Sequence, residues 1–223
     1  FLMATVFVSE SAPLVADDAQ KLEVLFINDF TLNFVADDEK SLQKAAKCPG
    51  NAYPTAAQQF DFTSAVVDAI DASIDLTLQY DFYNGGHGNH LSHVRFTRED
   101  FATAASHVFK NFCFEGPTAS DLPIYVQNVL PFAQNVEVLV LFTAAPAAEL
   151  AAALPIDDSD AAFKAVIVVG LNGTDAAAFY PDTSIIIPDF SKPETIACMI
   201  NVAYSNIQQR KPAESPTKTC TKA

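Results

Sequence analysis

Between Lys21 and Asn28 nearly every residue from Leu22 to Ile27 is apolar. A run without polar alternation belongs to a strand covered on both faces. Val136–Thr143 (VEVLVLFT) and Phe163–Leu171 (FKAVIVVGL) read the same way, and Thr183–Pro188 (TSIIIP) reads as a short fourth strand. Other stretches carry helical spacing. Phe62, Val66, Ile70, Ile74 and Leu78 recur every four residues and predict a long helix over Phe60–Leu78. Ile196, Ile200, Ala203 and Ile207 predict a closing helix over Pro193–Gln209, with Pro193 at a first-turn position where its missing N–H costs nothing. Ala119–Phe132 is expected to be helical, with Asp121 near its positive end. Shorter helices are expected at Asp38–Lys47, within Ala144–Leu154 and at Ala176–Tyr180.

Leu91–Thr97 (LSHVRFT) alternates and reads as a half-buried strand. Ala104–Phe112 reads as its hairpin partner, with a short helix as the alternative. Strands alternating with helices predict an α/β fold: a doubly wound, mostly parallel sheet with one antiparallel edge strand and helices on both faces, Rossmann-like in class. The domain is expected over residues 21–209, with an insertion at 34–59. Residues 1–20 read as an N-terminal arm or a signal remnant. Residues 210–223, rich in Pro, Ser, Thr and Lys, read as a flexible polar tail without core residues.

Composition narrows the partners. Of 223 residues, half are apolar and 18% are charged, with a net charge of −14. So acidic a surface repels phosphate backbones and anionic lipid, which argues against nucleic acid. No apolar run reaches the roughly 20 residues of a membrane span. The four cysteines, Cys48, Cys113, Cys198 and Cys220, show no C-x-x-C spacing. Their even number fits two disulfides in an oxidising compartment, with three pairings open. Cys113 and Cys198 also suit buried thiols. Asn172-Gly173-Thr174 is a glycosylation sequon placed in an expected strand-to-helix loop.

Several chemistries lack their residues. The strand-to-helix turns carry no G-x-G-x-x-G, no phosphate-binding P-loop and no G-x-S-x-G elbow. His87, His90 and His93 lie in a Gly-rich stretch whose spacing fixes no common geometry for a metal. No nucleophile–base pair is marked, so an enzyme is the weaker alternative.

The polar residues that close the first strand are more informative. Asp29, Thr31 and Asn33 alternate directly after the apolar run, at the carboxyl edge where open α/β sheets place their sites. VLFINDFTLNF at Val24–Phe34, CFEGPTASDLPIYVQNVL at Cys113–Leu130 and VEVLVLFTAAPAAE at Val136–Glu149 together resemble the von Willebrand factor type A family. They resemble, in order, its strand-end D-x-S-x-S, its Gly-rich turn with a single Thr, and its central strand ending in T-D-G. In that family these stretches hold a divalent cation, usually magnesium, at a metal-ion-dependent adhesion site. The resemblance implies Asp29, Thr31, Asn33 and Thr118 as ligands. Ala144 stands where the next carboxylate is expected, leaving Asp29 as the one formal charge opposite a doubly charged ion unless Glu149 or Asp121 substitutes. The implied function is a secreted, non-catalytic module that binds a protein or extracellular-matrix ligand through a degenerate adhesion site, with magnesium weak or absent. The rival is a structural or assembly module binding through residues 34–59.

Overall fold

In the computed structural model, residues 21–31, 54–83, 94–103, 122–133, 135–156, 163–209 and 215–221 are described. Six strands form one sheet: β1 (Leu22–Asp29), β2 (Leu76–Tyr83), β3 (Arg95–Phe96), β4 (Val138–Thr143), β5 (Ala165–Gly170) and β6 (Ser184–Ile186). Their order is β3-β2-β1-β4-β5-β6. Every neighbouring pair is parallel except β2–β3, so β3 is the antiparallel edge. The expected doubly wound sheet is thus the observed one.

Parallel strands need crossovers, and these place helices on both faces. On one face α1 (Pro54–Ala69) and α4 (Pro193–Gln209) cover Val24, Phe26, Val140 and Ile167. On the other, α2 (Leu122–Asn128) and α3 (Ala147–Ala153) cover Leu25, Ile27, Leu139 and Val168. Alternate residues of one strand therefore serve opposite cores, which is why β1, β4 and β5 are apolar almost throughout. Phenylalanine fills the first core. The ring of Phe101 lies 6.0 Å from that of Phe60 and 5.9 Å from those of Tyr80 and Phe96.

The structure corrects the expected Phe60–Leu78 helix. α1 ends at Ala69, and Leu76–Tyr83 is β2, buried at every residue and paired with β1. The cause lies at Asp71. Its Oδ1 accepts from the backbone N–H and the hydroxyl of Ser73, at 2.9 and 2.8 Å, turning the chain. The Arg98 guanidinium donates to the carbonyls of Val67, Ile70 and Asp71, so the end of α1 is capped from outside.

Smaller corrections follow. Only Arg95–Phe96 of the Leu91–Thr97 strand is described as paired, and residues 98–103 are helical. The helix expected over Ala119–Phe132 is described from Leu122 to Asn128, followed by a 3-10 turn at Leu130–Phe132. Ala176–Tyr180 forms a turn rather than a helix. The Asp175 carboxylate accepts from Ala177 N–H there, and Pro181 follows at once. Within the tail expected to be flexible, Pro216–Cys220 forms a short helix, α5. Cys220 is buried and joined to Cys198. The expected helix at Asp38–Lys47, the second hairpin strand at Ala104–Phe112 and the Gly116-Pro117-Thr118 turn lie outside the described residues.

Candidate functional site

β1 ends at the point in the strand order where β2 leaves on one side and β4 on the other. The crevice above such a reversal is the usual ligand position of an open α/β sheet. Asp29 stands there and is wholly buried. Thr31 lies beside it: its N–H and its hydroxyl donate to Asp29 Oδ1 at 2.9 and 2.5 Å. Thr31 thus folds back on Asp29 as a local turn.

The other carboxylate oxygen is engaged by the neighbouring strands. Tyr83, the last residue of β2 and the register partner of Asp29, donates its hydroxyl to Oδ2 at 2.6 Å. Ala144, directly after β4, donates its backbone N–H to the same oxygen at 2.7 Å. So the position where a carboxylate was expected supplies a hydrogen-bond donor instead. The Tyr83 hydroxyl also lies 2.8 Å from Thr143 Oγ1, which accepts from Ala145 N–H at 3.1 Å. Gln59 of α1 clamps the backbone of Asp29, accepting from its N–H at 3.1 Å and donating to its carbonyl at 2.5 Å.

An ionised carboxylate offers about four lone-pair directions, and the four donors around Asp29 take them all. Burial pushes the Asp29 pKa above the usual carboxylate value, while bonds from Thr31, Tyr83 and Ala144 pull it back. Burial raises the Tyr83 hydroxyl far above its ordinary value, with Asp29 and then Glu149 adding to the rise, so the phenol keeps its proton as a donor. As arranged, both carboxylate oxygens of Asp29 are engaged by protein donors. A hard ion must displace at least one charge-assisted donor, each worth about 1.5–3 kcal/mol, and must bring its water ligands into a buried space.

A second carboxylate lies on the same sheet face. Asp81, buried on β2, accepts from the Tyr125 hydroxyl at 2.7 Å and from Phe82 N–H at 2.8 Å. The rings of Tyr83 and Tyr125 lie 5.8 Å apart, joining the two clusters. Sequence reasoning missed Tyr83, Gln59, Thr143, Asp81 and Tyr125 as neighbours of Asp29. The signal for Asp81 and Tyr83 was the period-2 alternation of LTLQYDFY, which puts both on one face.

Of the remaining expected residues, Asn33, Thr118, Asp121, Cys48 and Cys113 lie outside the described residues. Cys198 and Cys220 pair with each other. Asn172 is exposed in a turn with φ of 51°, and Thr174 of its sequon reaches the Ala145 carbonyl at 3.4 Å, at the rim of the same sheet edge. Among the described residues no helix is long and apolar enough to cross a membrane.

No protein-family model matches the chain, and no curated protein matches it. Solved structures do. Proximal thread matrix protein 1 of the mussel byssus is 12% identical over 82% of this chain and 48% of that one, with a TM-score of 0.48. A von Willebrand factor type A protein from Catenulispora acidiphila is 12% identical over 83% and 43%, with a TM-score of 0.45. The manganese-loaded TRAP protein of Plasmodium vivax is 8% identical over 79% and 71%, with a TM-score of 0.42. The chain spans less than half the length of the first two.

Proposed function

We propose that this chain is an extracellular, non-catalytic binding module of the von Willebrand type A kind, and that it engages a protein or matrix ligand without a divalent cation. One observation carries the reading. The aspartate that the type A resemblance assigns to the cation is sealed at the carboxyl edge, with Thr31, Tyr83 and Ala144 on its oxygens. The polar constellation then serves as a rivet between β1, β2 and β4, and recognition falls to the surface above it. The Cys198–Cys220 bond and the exposed sequon at Asn172 support an oxidising, secretory setting. A glycan on Asn172 would stand beside the Ala144–Ala145 rim and limit which side of the edge a ligand reaches.

Calorimetry and thermal shift with magnesium, manganese and calcium test the cation-free reading. No saturable heat and no shift are expected at millimolar ion. Saturable binding by any of the three overturns it. Binding of the protein to immobilised extracellular-matrix fractions should be equal with and without chelator, and a loss on chelation counts equally against it.

A further inference from the structure

β6 is the other end of the sheet, and its outer side has no strand beside it among the described residues. Val168 N–H donates to the Thr183 carbonyl and Ile187 N–H to the Gly170 carbonyl, at 3.0 Å each. By strand alternation the carbonyls of Asp182 and Ser184 point the opposite way, to the open side. Both are taken by one residue of α5. Thr217 donates its N–H to the Asp182 carbonyl at 3.1 Å, and its hydroxyl lies 2.9 Å from that carbonyl and 3.1 Å from the Ser184 carbonyl. Lys218 places its ammonium 3.6 Å from the Asp182 carboxylate. α5 thus guards a sheet edge, the part of a fold most prone to pair with a foreign strand.

Five residues of helix do not hold such a position by themselves. The fastening is the Cys198–Cys220 bond, which ties α5 to α4 across 22 residues of chain. A groove of about 690 Å³ runs between β6, the start of α4 and α5, and both cysteines line it together with Ile185, Ile187 and Thr219. Both cysteines thus border a groove open to small molecules.

We propose that Cys198–Cys220 is a releasable latch: a dithiol reductant entering the groove frees α5 and uncovers the β6 edge while β1, β2, β4 and β5 stay paired. In the exchange one reductant thiolate attacks a cysteine sulfur and forms a mixed disulfide. The second reductant thiol then closes on the first. The reductant leaves as its disulfide, two electrons poorer, and Cys198 and Cys220 are left as thiols. The ladders of β1, β2, β4 and β5 hold no atom of α5.

The test uses the whole chain, as wild type and as Cys198→Ala/Cys220→Ala with Cys48 and Cys113 retained. Tryptic cleavage after Lys218 and amide exchange at Thr217 are followed, with the amides of Leu25 and Val140 as reference. In the variant both α5 rates should rise on the order of a hundredfold, the scale of loop closure by one disulfide, with the reference amides unchanged. Unchanged α5 rates overturn the latch, because α5 then holds without the bond. Equal loss of protection at Leu25 and Val140 also overturns it, because the bond then supports the domain as a whole. In the wild type, mild dithiol followed by alkylation should tag Cys198 and Cys220 in the folded protein. Tagging that requires denaturant refutes the proposal independently of the variant.

Discussion

Asp29 and Asp81 are carboxylates on the same buried sheet face with different surroundings. Asp29 has four donors, whereas Asp81 has two, the Tyr125 hydroxyl and Phe82 N–H. Burial raises the Asp81 pKa to about 7, with those two bonds opposing the rise. Its unfolded value is near 3.8, so between those values the folded chain holds a proton that the unfolded chain has lost. Stability from this group is complete below the unfolded value and is lost as pH climbs through the window, becoming flat above about 7. Three units correspond to about 4 kcal/mol. Asp81→Asn should remove that slope. Urea unfolding of wild type and variant from pH 4.5 to pH 8 (roughly the window set by the shift) should show their difference growing in favour of the variant as pH rises. A constant difference would refute the assignment.

At the scale of elements, β1, β4, β5 and α4 were legible because uninterrupted apolar runs and a four-residue stripe each admit one reading. β2 was not, because Ile74 and Leu78 continue the spacing of α1 while Leu78 also belongs to the alternation Leu76, Leu78, Tyr80, Phe82. Its polar residues Thr77, Gln79 and Asp81 are all buried. The site shared that fate. Asp29 and Thr31 stand together in sequence, but Tyr83 enters only when β2 is recognised as a strand, and Gln59 only when α1 is laid over β1. The turn after β5 makes its own demand. A Cβ on Gly170 would lie 1.8 Å from the Thr174 carbonyl oxygen, a backbone atom that cannot step aside. Gly170→Ala should cost about 3 kcal/mol or more. Gly173, at φ 81° with open space around it, should cost only about 1–2 kcal/mol for the left-handed backbone when changed to Ala. Thermal unfolding of the two variants separates packing from backbone strain, and equal losses would contradict it.

For the whole molecule, Thr31 reaches the Asp29 carboxylate from two residues away, while the other partners of Asp29 come from far along the chain. Gln59 is 30 residues away, Tyr83 is 54 and Ala144 is 115. Each contact closes a large loop, and the last waits for β4. A carboxylate stripped of water before its partners arrive is costly, so the rivet should close after the folding barrier and act as a brake on opening. Tyr83→Phe, losing about 2 kcal/mol from the bond to Asp29, should therefore speed unfolding about thirtyfold and leave the refolding rate nearly unchanged. Stopped-flow chevrons decide it, and slowed refolding would place Asp29 in the nucleus instead. A residue pattern that elsewhere grips an ion would then set, in this chain, how long the native state lasts.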